Sequence, residues 1–120
     1  MTRALALFSV GHRGCRVRVR ILPTQRDVER EFRGGRPRRD GLEIHAFFLA
    51  MLSPDAKHVG TIVLPADRPL AELVAHETVH AVMSYLGGVH CSSDEELATL
   101  VGILTDRIHR RCEQLGVGGR

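Results

Sequence analysis

The 120-residue chain has no tryptophan, one tyrosine and four phenylalanines. No apolar run approaches the eighteen or so residues that a membrane-spanning helix needs, so no membrane segment is expected. Cysteine is sparse as well. Cys15, Cys91 and Cys112 stand far apart, odd in number and without a C-x-x-C pair. That pattern reads as reduced thiols in a cytoplasmic protein. The N-terminal "MTRALALFSVGHRG" offers only a brief apolar stretch with no small-residue cleavage site behind it, which argues against a secretory signal.

What is present fits one soluble globular domain over residues 1–120. With 43% hydrophobic and 26% charged residues, the chain is large enough for a core and too small for two domains. Charge is unevenly spread. Residues 1–40 hold eleven arginines against four acids, a net of +7, whereas residues 41–120 hold six basic and ten acidic side chains, a net of −4. A basic N-terminal third is compatible with nucleic acid or another polyanion as a partner. No aromatic residue interleaves with those arginines to stack bases, so a solvated basic surface is the favoured reading. Oligomeric state is not encoded in any pattern of the sequence.

"CRVRVRIL" (15–22) alternates apolar and charged residues, the period-two signature of a strand with one wet face, and Pro23 stops it. "TQRDVEREF" follows as a short helix with Thr24 as N-cap. The arginine- and glycine-rich stretch 33–41 reads as a mobile loop. "LEIHAFFLA" (42–50) and "VGTIVLP" (59–65) read as two strands close enough to pair as a hairpin. The period then changes: a helix capped by Asp67 runs to about Leu86 and is closed by Gly87 and Gly88. A last helix, capped by Ser92 or Ser93, reaches about Leu115, and 116–120 read as a frayed tail. The expected fold is α+β: a small three-stranded, mainly antiparallel sheet with helices packed on one face.

His76-Glu77-Thr78-Val79-His80 matches H-E-x-x-H. At 100° per residue the two histidines project from one face a turn apart, so both imidazoles can reach one ion. Glu77, a step further round, can hydrogen-bond a water on that ion; zinc acidifies the water and the glutamate takes its proton as it attacks a carbonyl. The helix carries apolar residues nearly all round, which predicts a central, buried position. Two core histidines held by backbone carbonyls would be the purely structural alternative.

Zinc needs a third protein ligand, and catalysis an open fourth position. Met83 and Leu86 exclude the form that continues with glycine and a third histidine. His90, Cys91, Asp94, Glu95 and Glu96 remain. Both Ser92-x-x-Glu95 and Ser93-x-x-Glu96 are also capping boxes. Glu95 shares a stripe with Ala98, Gly102 and Thr105, small residues that allow a neighbouring helix to come close, while Glu96 points about 100° away. Glu95 is therefore the preferred third ligand.

"HETVH" followed by "EELA" on the next helix resembles the gluzincin branch of the zincin metallopeptidases over roughly residues 58–110. The resemblance implies a zinc peptidase acting on a peptide or protein substrate, with His76, His80 and Glu95 as ligands and Glu77 as general base. It also implies that "VGTIVL" is the edge strand that binds extended peptide. The small size and the "LATLVGILTDRI" helix are similar to zincin-like proteins of phages and prophages. The family's oxyanion-steadying Tyr or His has no evident match among Tyr85, His109, His58 and His90, and Asp106 is a distant candidate for orienting a ligand histidine. A zinc-stabilised interaction module without turnover is the alternative reading.

Overall fold

A computed structural model of the chain describes residues 3–34, 43–51, 53, 56–87 and 94–117. Strands β1 (Ala6–His12) and β2 (Cys15–Leu22) lead into helix α1 (Gln25–Arg33). Then come β3 (Phe47–Ala50), β4 (Gly60–Pro65), helix α2 (Ala71–Tyr85) and helix α3 (Asp94–Leu115). The α+β class holds, but the sheet has four strands in the order β1-β2-β4-β3. It is mixed: β1–β2 and β3–β4 pair antiparallel, whereas β2 and β4 run parallel.

The added strand is β1, which the sequence reading passed over. Its first half alternates as a strand should, with Phe8 and Val10 buried and Leu7 and Ser9 exposed. Arg13 (φ 49°) and Gly14 (φ 86°) both adopt positive φ in the two-residue connection to β2. Such turns match the twist of the flanking strands but usually carry Asn, Asp or Gly at the first of these positions. Arginine there hides the signal.

Alternation splits β2 and β4 between two layers. Val17, Val19 and Ile21 with Ile62 and Leu64 face α2 and α3 and form the main core with Val74, Ala81, Val82, Leu100, Leu104 and Ile108. Leu22 and Val63 point the other way and are covered by Val28 of α1 in a second, smaller cluster. The helices therefore do not all share one face. Thr24 caps α1 as expected: its Oγ1 accepts from the Asp27 N–H (3.1 Å) while the Asp27 carboxylate accepts from the Thr24 N–H (3.2 Å). Asp67 does not cap α2, whose N-cap is Leu70 without a side-chain bond. Its carboxylate instead accepts from the first amide of α1, at Gln25 (2.9 Å).

Arg33 is helical and Gly34 (φ 61°) closes α1; the rest of the expected loop lies outside the described residues, as do Gly88 and the cap candidates Ser92 and Ser93. Gly116 and Val117 close α3, their amides donating to the Glu113 and Cys112 carbonyls, and residues 118–120 lie outside the described set. No helix among the described residues is long and apolar enough to cross a membrane.

Candidate metal centre

Helix α2 lies across β4 and β3, burying Val74, Glu77, Thr78, Ala81 and Val82. The expectation of a helix buried on all sides is overturned, because the opposite flank carries His76, Val79, His80, Ser84 and Tyr85 in solvent. Burial of the motif residues is thus inverted relative to that expectation. The His76 side chain is 69% exposed and that of Glu77 only 7%. A run of apolar residues conceals this: Val79 is spent on the surface, while the inward positions take Glu77 and Thr78 along with the valines.

The histidines converge. Their Nε2 atoms stand 3.2 Å apart, with the rings edge to face at 71° and centroids 4.8 Å apart. Two imidazole nitrogens bound to one tetrahedral zinc, with Zn–N bonds of about 2.0–2.1 Å, would be about 3.4 Å apart. The observed separation therefore fits a shared cation with almost no rearrangement. Glu77 Oε2 lies 3.9 Å from His76 Nε2, and ligand atoms of His76, Glu77 and His80 all fall within 4.8 Å of one another. Burial raises the affinity of the Glu77 carboxyl for its proton, and the charges of His76 and His80 oppose that rise. This donor set, two exposed imidazoles beside a buried carboxylate, suits a cation such as zinc in type and spacing.

The three residues open into a cleft of about 530 Å³ walled by Ala46, Phe47, Phe48 and Ala50 on one side and Met83 and Ser84 on the other. β3 therefore forms the wall and is the edge strand. β4, the "VGTIVL" segment, is internal between β2 and β3. Phe48 carries no signal of this role in the sequence, and Met83 enters there only as the residue that excludes a glycine in the extended motif. "HAFFLA" is legible there as a strand, but its edge position depends on pairings that no local pattern encodes.

The other candidate site residues are dispersed. Glu95 and Glu96, exposed in the first turn of α3, line a separate cavity of about 420 Å³ with His12, Arg13, Tyr85, Thr99 and Leu100. The reason is topological: α3 packs toward β1 and α2 toward β3 and β4, and β1 and β3 are opposite edges of the sheet. Glu95 is thus not brought into the His76–Glu77–His80 group. Tyr85 donates its hydroxyl to the Arg13 carbonyl (3.0 Å), away from the cleft. His58 pairs with Ser9 Oγ (2.8 Å), and Asp106 with Arg110 (3.0 Å). Asp94 begins α3, while His90 and Cys91 lie outside the described residues. No protein-family model, no curated protein and no solved structure matches the chain, so the convergence of His76, Glu77 and His80 is itself the ground for a functional reading.

Proposed function

We propose that the chain is a zinc-dependent peptidase that cleaves its substrate in the cleft between α2 and β3. The observation that carries this reading is the 3.2 Å approach of the His76 and His80 Nε2 atoms beside a buried carboxylate. His76 and His80 would hold the ion through Nε2, and zinc bound there would supply a Lewis acid for a peptide carbonyl and lower the pKa of water. Glu77 is the general base. Its carboxylate accepts the proton of the attacking water and returns it to the leaving amine, and burial raises its affinity for that proton. Phe48 and Met83 supply apolar walls to the cleft.

Metal analysis of protein purified without added metal tests the site. About one zinc per chain is expected for the wild type and far less for His80→Ala; equal zinc in both sinks it. Glu95 is the third ligand offered by the sequence pattern, and its assignment rests on the same assay. If Glu95→Gln retains all its zinc, Glu95 is removed from the site and the histidine pair is untouched. Glu77→Gln separates enzyme from binding module. A peptidase loses cleavage of an unstructured protein substrate while keeping zinc, whereas a zinc-stabilised interaction module has no cleavage to lose.

A further inference from the structure

On the face of the sheet away from α2 and α3, the β1–β2 end is basic. Arg16 and Arg18 stand two residues apart on the solvent side of β2, about 6.7 Å along the strand. Ser9 and Thr61 flank Arg18 in register on the adjacent strands. His58 reaches across β2 to Ser9 Oγ at 2.8 Å and sits in the field of Arg18, Arg16 and Lys57. Around the turn, Arg13, Arg16 and Arg107 line a shallow recess of about 490 Å³ that has no acidic residue in its wall.

Two features show that this end is shaped. Arg107 crosses from α3 to donate to the Gly11 carbonyl on β1, which fixes a cation at the rim. Gly11 faces Arg16 across the hairpin, and a Cβ there would come within 2.9 Å of Arg16 Cγ and 3.3 Å of the Cys15 carbonyl. Only glycine leaves the Arg16 stem room to lie over the edge strand. At the far end of the face, Arg20 is paired with Glu31 of α1. Among the described residues, no carboxylate pairs with Arg13, Arg16, Arg18 or Arg107.

We infer that this face binds the phosphate backbone of a double-stranded nucleic acid. Its donors are arginine, lysine and hydroxyl groups, the set that contacts phosphate rather than base edges. A second copy of the chain is disfavoured as occupant, since a two-fold contact would set Arg16 and Arg18 against their own copies. No aromatic ring stands among these arginines: Phe8 and Phe48 belong to the core side, Phe47 packs on the half-exposed Phe32 of α1, and Tyr85 is held by the Arg13 carbonyl. Duplex should therefore be preferred over single strand. The surface lies across the sheet from the α2 cleft, so the two proposals stand or fall separately.

The test is fluorescence anisotropy with a labelled duplex of mixed sequence, titrated at several salt concentrations. With five cations engaged (Arg13, Arg16, Arg18, Lys57 and Arg107), affinity should fall a few hundred-fold between 50 and 200 mM salt, a log–log slope of about −4.5. Arg16→Gln/Arg18→Gln should flatten that slope by about 2 and weaken binding at low salt more than tenfold. Arg26→Gln/Arg68→Gln, an equal charge change at the other end of the sheet, should leave both nearly unchanged. Circular dichroism verifies folding, and Arg107→Gln serves as a second variant with a slope loss of about 1. Equal binding by wild type and Arg16→Gln/Arg18→Gln overturns the proposal, as does equal weakening by both double variants. Two further results overturn it: competition by polyglutamate as effective as by unlabelled duplex, and binding to phosphatidylserine vesicles in place of duplex. The vesicle arm matters because Leu7 and Leu49 are exposed beside the arginines.

Discussion

Gly60→Ala perturbs the cleft without altering any group proposed to act in it. Gly60 opens β4 and pairs with Ala50 of β3, the strand that walls the cleft. A Cβ at Gly60 would lie 2.6 Å from Phe48 Cε1 and 2.7 Å from Cζ, and would also collide with the Leu49 carbonyl oxygen. Carbon atoms pack at about 3.5–4.0 Å, so the gap must open by about 1 Å. Phe48 could rotate away, but the Leu49 oxygen belongs to the backbone, so β3 itself has to shift. Overpacking of this kind costs about 1–3 kcal/mol. At about 4 °C per kcal/mol for a domain of this size, Gly60→Ala should melt roughly 4–12 °C below wild type. The strain falls on a four-residue edge strand bonded on one side, so the histidines of α2 should keep their zinc while cleavage is lost with the wall. Thermal melts followed by circular dichroism, with metal analysis of the same samples, measure both effects. Unchanged melting would refute the packing argument; zinc loss without destabilisation would refute the separation of wall from metal site.

Three other outcomes are expected. Burial pushes the Cys15 thiol up to about 11 and raises that of Cys112, so both should resist alkylation at pH 8 until the chain is unfolded; rapid native labelling of either, read by peptide mass spectrometry, contradicts this. Burial first, then the charges of Arg18, Arg16 and Lys57, lowers the pKa of His58, so its NMR titration should fall below the ordinary value near 6.5. The neutral ring is the form favoured by folding, so His58's contribution is complete above the unfolded pKa and is lost as pH falls from there toward the folded one; Arg18→Gln should move the midpoint upward. If zinc binds the native chain alone, free zinc at a hundred times Kd should add about 2.7 kcal/mol, raising the melting temperature of wild type and not of His80→Ala; a chelator without effect on wild-type melting would contradict the site.

Local signals in this chain were readable wherever neighbours in sequence decide structure. The alternation of 15–22, the Thr24 cap and the change of period before α2 all translate directly into elements. Features set by long-range pairing were not. β1 joins the sheet through a turn with arginine at positive φ, and β4 becomes internal because β2 pairs with it in parallel after an intervening helix and strand. Asp67 looked like a cap for the helix that follows it and instead satisfies an amide 42 residues earlier. Glu95 lies on the helix after the motif, where the sequence pattern put a third ligand, yet α3 packs toward β1 and carries it into a separate cavity.

The motif also carries more physical information in three dimensions than in one. Read linearly, H-E-x-x-H on an apolar helix poses the problem of two polar rings in a core. In the fold the rings stand in solvent, where neither desolvation nor an unmet hydrogen bond burdens them, and the glutamate carries the burial. That division has chemical consequences. On the proposed reading, a metal-binding pair needs access for the ion and a substrate, and the exposure of His76 and His80 is compatible with that. A general base in that proposal gains from a raised proton affinity, and partial desolvation of the Glu77 carboxylate moves it in that direction. One residue step on a single helix, 100° of rotation, is enough to separate the two requirements. Among the described residues β3 is a short edge strand beside α2, whose histidine flank is exposed while Glu77 stays packed.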